Sequence, residues 1–232
     1  MKIQKIMLLS AFSLAMCLTA CGVQTEATET AEVAPAQTVT LSNREDAKKF
    51  VAENSAFKGF SSQFVKAVQG ETTDEIWKND IESSPVPLPE DGNVEVKEPY
   101  RVAFVTVMDE GIQIEGEENY IVPICKNNVM VANVTISIEE ADVSGGGIDY
   151  PNSMNSAVQE HDTFALFHYF PEDGGAMLYC GITPEDEIFV INQDNTDVSE
   201  LNLPDVHFAD FTDEYVMHSL YGETLLTEAD YT

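Results

Sequence analysis

The stretch that decides the fold class runs from Val129 to Ile138 and has the sequence VMVANVTISI. From Ala132 onward apolar and polar residues alternate, with Asn133, Thr135 and Ser137 all on the polar side. Because neighbouring residues of a strand point to opposite faces, this period of two predicts a half-buried strand of an antiparallel sheet. The predicted apolar face comprises Met130, Ala132, Val134, Ile136 and Ile138.

A two-residue turn is expected immediately before this strand. Asn127-Asn128 separates it from a second apolar run, Tyr120 to Lys126. Asn tolerates positive φ, which the tight turns of β-hairpins require. We therefore predict a hairpin here, and further strands at Tyr100 to Met108 and Thr163 to Phe170, where β-branched and aromatic residues are again concentrated.

The residues before the strands have a helical period. Phe50, Phe57, Phe64 and Val68 recur at helical spacing, which predicts a helix over about 43–69, with Gly59 as the candidate interruption. Residues 73–82 suit a second, shorter helix. A proline-rich stretch, residues 83–93, then ends the helical part.

This order predicts an α+β fold. We expect an N-terminal helix packed on a curled antiparallel β-sheet of about six to eight strands, because the helical period comes first and the strand period follows. A β-sandwich with an appended helix is the alternative. Residues 41–232 are expected to form a single domain, helical over 41–82 and strand-rich over 94–232.

The first twenty residues have the composition of an export signal. Lys2 and Lys5 precede an apolar run that ends at Leu18, and small residues lead to Cys21. Leu18-Thr19-Ala20-Cys21 resembles the lipobox of bacterial lipoproteins. The resemblance implies that a signal peptide, residues 1–20, is removed and that Cys21 carries lipid. It also implies an extracytoplasmic protein held at the cell membrane or the outer membrane through its lipid anchor.

Residues 21–40 are expected to be a disordered tether between the anchor and the domain. They are rich in Thr, Ala and Glu and contain almost no large apolar residue. Such a composition cannot bury enough apolar surface to offset the entropy of ordering the chain.

The chain is strongly acidic, with 41 Asp and Glu against 11 Lys and Arg and a formal net charge of -30. Every Lys and Arg lies at or before Lys126, so the C-terminal part has no basic residue except histidine. Such a field repels nucleic acid and anionic lipid head groups and attracts cations or basic proteins. Nucleic acid is therefore excluded as a partner.

Two cysteines remain in the expected domain, Cys125 and Cys180. An exported protein can join such a pair in a disulfide. Each cysteine also lies in an apolar, strand-like run, where a free thiol is commonly buried. Both interpretations stay open from the sequence.

One segment has the composition of a metal site. Asp194, Asp197 and Glu200 place hard oxygen ligands in a short polar stretch, which suits calcium, although the glycine and spacing of an EF-hand loop are missing. Asx-rich segments of this kind also form ordinary turns. We therefore expect no cofactor, with calcium at this segment as the alternative.

The histidines suggest a second metal chemistry. All four histidines, His161, His168, His207 and His218, lie among carboxylates in the C-terminal part, and zinc is held by such groups. No two of them have the i, i+4 spacing of a helical metal motif, so the fold would have to assemble a site.

The sequence contains no phosphate-binding glycine loop, Gly-x-Ser-x-Gly motif or His-Glu-x-x-His motif. We therefore predict a non-catalytic domain that binds or scaffolds a protein or a small molecule. A divalent-cation-binding module and a metal-dependent hydrolase that uses the C-terminal histidines are the alternatives.

Overall fold

Two β-sheets and four helices make up the described part of the chain. The structure is a computed structural model, and it describes residues 40–84, 86–108, 111–148, 152–171, 176–191 and 203–231. Eleven strands lie within these ranges, so the fold is α+β and mostly sheet. The expectation of one curled sheet of six to eight strands is wrong, because the strands divide between two sheets.

The α-helices are α1 (Arg44–Glu53), α2 (Ser55–Val68), α3 (Glu75–Ser83) and α4 (Asn152–Glu160). The first sheet has the order β11-β1-β4-β5-β6, with β1 (Val94–Lys97), β4 (Asn119–Lys126), β5 (Val129–Ser137), β6 (Asp142–Gly147) and β11 (Thr224–Thr227). The second has the order β3-β2-β7-β8-β9, and a sixth strand, β10, pairs with β7; the strands are β2 (Ala103–Met108), β3 (Gly111–Gly116), β7 (Thr163–Tyr169), β8 (Leu178–Ile182), β9 (Ile188–Val190) and β10 (Val216–His218).

The helical segment expected over about 43–69 is two helices, and Asn54 separates them rather than Gly59. Asn54 is extended, with φ -76° and ψ 121°. Its side chain accepts a hydrogen bond from the backbone N–H of Phe57 at 2.9 Å, which caps the start of α2. Asn43 caps α1 in the same way by accepting from the N–H of Asp46 at 3.0 Å.

The hairpin at Asn127-Asn128 is confirmed. Both residues have positive φ, 52° and 60°, and they join β4 to β5 in an antiparallel ladder. The predicted single apolar face of β5 is partly wrong, because the register shifts where Cys125 pairs with Met130. This irregularity turns Met130 away from Ala132 and into a different part of the core.

The core has three clusters of buried side chains. The first joins α1 and α2 to the first sheet through residues such as Val51, Phe64 and Val134. The second contains side chains of both sheets and of α4. The third lies between the second sheet and the segment 203–216. The two sheets are therefore connected through shared packing.

The C-terminal segment completes both sheets. β10 pairs with β7 in the second sheet, and β11 pairs with β1 in the first. The described residues accordingly fall in one compact unit.

No helix in the described part of the chain is both long and apolar enough to cross a membrane.

Candidate binding site

One end of the second sheet exposes a cluster of large apolar side chains, which we call the sheet-end patch. The exposed fractions are 37% for Val107, 53% for Met108, 37% for Ile112, 59% for Phe170 and 37% for Met177. Among the described residues, only Ile76 and Leu220 are other large apolar side chains with comparable exposure. Concentration at one place distinguishes this patch from the scattered apolar residues that are normal on protein surfaces.

Strand pairing brings the patch together from distant parts of the sequence. Val107 lies opposite Ile112 in the antiparallel β2–β3 pair. β2 also runs parallel to β7, with Val105 beside Tyr169, so Met108 and Phe170 follow at the same end of the sheet. Met177 precedes β8, which pairs with β7. The register therefore places these exposed apolar side chains at the same end of the sheet.

A groove of about 780 Å³ lies on one side of the sheet-end patch. β2, β3 and Tyr169 form its sheet wall, while the segment from Leu203 to Asp210 forms the opposite wall. Asp205 and Asp210 are exposed at its rim. The groove thus combines apolar walls with carboxylates, an arrangement that suits an apolar group carried next to a positive charge.

The wall formed by residues 203–210 is held by hydrogen bonds to Asp186. The backbone N–H of Phe208 donates to Asp186 Oδ1 at 2.7 Å, and His207 Nδ1 lies 3.1 Å from Asp186 Oδ2. The Phe208 hydrogen bond, followed by that from His207, lowers the pKa of Asp186. The same contact with Asp186 raises the pKa of His207. This pair therefore fixes the outer wall of the groove.

The other face of the second sheet carries a row of rings. Phe104, His168 and Tyr179 are neighbours across β2, β7 and β8, with ring centroids 5.2 Å and 4.8 Å apart. His168 Nδ1 also lies 3.2 Å from Glu117 Oε1. Such a row is a packing arrangement of cross-strand neighbours, and it places His168 beside one carboxylate rather than beside another histidine.

The chain's two arginines, Arg44 and Arg101, both form hydrogen bonds with Glu214 in the C-terminal segment. Arg101 Nη1 donates to Glu214 Oε2 at 2.6 Å, and its Nε and Nη2 donate to the backbone oxygen of Glu117 at 3.1 Å and 2.6 Å. Arg44 donates to the backbone oxygens of Glu214 and Val216. These hydrogen bonds tie both arginines to the C-terminal segment.

Burial dominates the electrostatics around the two arginines. Desolvation raises the pKa of Tyr120 to about 12, even though Arg101 and Arg44 act in the opposite direction. Desolvation likewise lowers the pKa of Arg44, against the opposing effect of Glu98.

The predicted histidine site is not assembled. His161 stacks on Phe189 at 4.1 Å between ring centroids, His168 contacts Glu117, and His207 contacts Asp186. Within the described ranges, no group of three or more His, Cys, Asp and Glu side chains is arranged to hold a metal ion. The calcium candidates, Asp194, Asp197 and Glu200, lie outside the described residues, as does Cys21.

Cys125 and Cys180 are both free and buried in this structure. Cys125 belongs to the second core cluster and Cys180 to the third. Burial raises the pKa of the Cys125 thiol, and it raises that of Cys180 to about 12. Both cysteines therefore act as small apolar core residues.

Comparison with known proteins adds no relative: no protein-family model, no curated protein and no solved structure matches this chain.

Sequence reasoning did not find the sheet-end patch. Met108 and Phe170 are large apolar residues at the ends of predicted strands, within two residues of an acidic segment. That position is the available signal, because a side chain at the last residue of a strand often extends beyond the packed core. Only the register of β2 with β7 shows that both strand ends lie at the same end of the sheet.

Proposed function

We propose that the protein is a lipid-anchored extracytoplasmic protein whose domain binds a partner through the sheet-end patch without catalysing a reaction. The observation that carries the binding role is the concentration of five exposed apolar side chains at one sheet end, beside a groove of about 780 Å³. Apolar patches that a folded domain keeps exposed are typical of interaction sites.

The anchor is supported by the amino-terminal sequence. Leu18-Thr19-Ala20-Cys21 follows a basic start and an apolar run, in the order that lipoprotein signals have. Acyl chains contribute about 0.8 kcal/mol per buried CH₂, so two or more chains hold a domain at a membrane. In this arrangement the tether, residues 21–40, lets the domain reach partners away from the membrane surface.

The anchor is tested by fractionation of cells that produce Cys21→Ala. We expect this variant in the soluble or precursor fraction, without incorporated fatty acid. Cys17→Ala is the matched control, since it makes the same substitution four residues earlier and leaves the box intact. Fatty-acid labelling of Cys21→Ala equal to that of Cys17→Ala would refute lipidation at Cys21.

The binding role is tested by photocrosslinking in intact cells. A benzoylphenylalanine at position 112 should give discrete crosslinked products, because Ile112 lines the groove. The same group at position 76 is the control, because Ile76 is 68% exposed but lies on α3, away from the second sheet. Identical patterns from the two positions would contradict a docking role of the patch.

A further inference from the structure

The groove lies beside a sheet edge that no described strand covers. Within the described ranges, β3 (Gly111–Gly116) pairs with β2 alone and ends the second sheet on that side. Its outer backbone groups can therefore form a ladder with another extended segment. Addition of a partner strand to such an edge is a common mode of peptide recognition, in which main-chain hydrogen bonds supply affinity and alternate side chains supply specificity.

The side chains of β3 define what an added strand would meet. Ile112 and Ile114 line the groove, while Gln113 and Glu115 point to the opposite face and are exposed. A neighbouring strand would thus place every second side chain at the groove and the others beside Glu115. The matching pattern is apolar residues that alternate with polar or charged ones.

The negative charge around β3 favours positively charged residues at the polar positions of an added strand. No strand of the second sheet contains Lys or Arg, and no Lys or Arg follows Lys126 in the sequence. Glu115 on the strand and Asp205 and Asp210 at the groove rim are exposed carboxylates. With a net charge of -30 on the chain, a segment that carries Lys or Arg is attracted and an acidic one is repelled.

The same charges argue against three other occupants. The tether of this chain contains Glu26, Glu29 and Glu32 and no basic residue. A second copy of the chain would bring another Glu115 and another strongly negative surface to the same edge. A membrane with anionic lipids would be repelled for the same reason.

We propose that β3 binds a partner protein's extended segment in which apolar residues alternate with Lys or Arg. The segment forms a further strand of the second sheet, with its apolar residues against Ile112 and Ile114 and a basic residue beside Glu115. This inference rests on the proposed function, because it assigns the partner class of the same sheet end.

The test uses the full-length chain in a neutral detergent and four synthetic probe peptides. The first alternates Val and Lys, the second alternates Val and Glu, and the third has the composition of the first with its valines in one block. The fourth is the first peptide with N-methylated backbone amides, which cannot donate hydrogen bonds. Fluorescence anisotropy should show that the first peptide binds at least about tenfold more tightly than each of the others. Its affinity should fall as salt is added.

Two protein variants and hydrogen exchange locate the binding. Glu115→Lys should lower the affinity for the Val–Lys peptide about three- to tenfold, as expected when a cross-strand attraction becomes a repulsion. Glu71→Lys is the control, since it makes the same charge change at an exposed position far from the second sheet. Bound Val–Lys peptide should slow exchange of outward-facing amides in 111–116 about tenfold or more. The exchange rates of amides in β9, the strand at the opposite edge of the sheet, should not change.

Three results would overturn the inference: equal affinity for the Val–Lys and Val–Glu peptides, equal affinity for the N-methylated peptide, or unchanged exchange in β3. Saturable binding of Cys21→Ala to phosphatidylglycerol vesicles, or dimerisation that Glu115→Lys strengthens, would assign the edge to a membrane or to a second copy instead. If position 112 gives specific crosslinks but β3 exchange is unchanged with the peptide, the docking role stands and the strand-addition inference falls.

Discussion

Arg101 and Glu214 form a close ion pair, with Nη1 and Oε2 2.6 Å apart and side chains that are only 17% and 22% exposed. The pair links the start of the second sheet to the C-terminal segment, since the backbone N–H of Arg101 also donates to the backbone oxygen of Glu214 at 3.1 Å. The guanidinium further lies over the rings of Tyr120 and Tyr215, 5.5 Å and 5.7 Å from their centroids. Arg101 thus holds the end of the chain in place.

Arg101→Ala should destabilise the protein by about 2–4 kcal/mol, because it leaves Glu214 and the Glu117 carbonyl without their donor in a partly buried site. Urea unfolding followed by circular dichroism measures this change. Lys78→Ala is the control: its pair with Glu75 is exposed and should contribute less than about 0.5 kcal/mol. Equal losses in both variants would contradict the structural role of Arg101.

Phe170 and Phe167 lie three residues apart at the end of β7, and their substitution should change the free energy of unfolding by very different amounts. Phe170→Ser should change the free energy of unfolding by less than about 0.5 kcal/mol, because the ring is 59% exposed. Phe167→Ala should cost about 3–5 kcal/mol, because its ring is fully buried against Phe211. Thermal and urea unfolding of both variants test this contrast. A large loss in Phe170→Ser would show that the sheet-end patch is part of the core.

The thiols of Cys125 and Cys180 should react with a thiol reagent only when the protein unfolds. Both are buried, and burial raises the pKa of Cys180 to about 12, so the reactive thiolate is scarce at neutral pH. Mass spectrometry after alkylation in denaturant, without reductant, should find two modified cysteines in these positions. Modification that requires prior reduction would demonstrate a disulfide and contradict the structure.

Contact between His207 and Asp186 should give the groove wall a defined pH dependence. Because the pKa of His207 is raised, its stabilising contribution is complete below the ordinary value of 6.5 and is lost as the pH rises through the raised value. Because the pKa of Asp186 is lowered, its contribution is complete above 3.8 and is lost as the pH falls through the lowered value. NMR titration should find the pKa of His207 above 6.5 in the parent and closer to 6.5 in Asp186→Asn. An unchanged pKa would refute the pairing.

A calcium site at Asp194, Asp197 and Glu200 remains a prediction from the sequence. If these residues bind calcium, millimolar calcium should raise the melting temperature more than magnesium, and more than sodium at equal ionic strength, because a ligand of the native state stabilises it by mass action. The extra rise in melting temperature with calcium should disappear in the double variant Asp194→Asn, Asp197→Asn. Equal responses to the three salts would show that charge screening accounts for the whole effect.

The sequence by itself determined the local features. Asn127-Asn128 predicted the hairpin because the turn depends on the conformational freedom of those two residues. The period of two in β5 and the helical period before it predicted the α+β class. These signals are contained within a few neighbouring residues, so they do not depend on the rest of the fold.

Only the tertiary structure decided which surfaces meet. The irregular pairing of Cys125 with Met130 moves one side chain to another cluster, and no local pattern shows this. Likewise, β11 joins β1 across more than a hundred residues of sequence, and the parallel pairing of β2 with β7 brings Met108 and Phe170 to the same end of the sheet. Such placements follow from long-range register, which is chosen by how all the apolar faces are buried together. For that reason the candidate binding site became visible only in the folded chain.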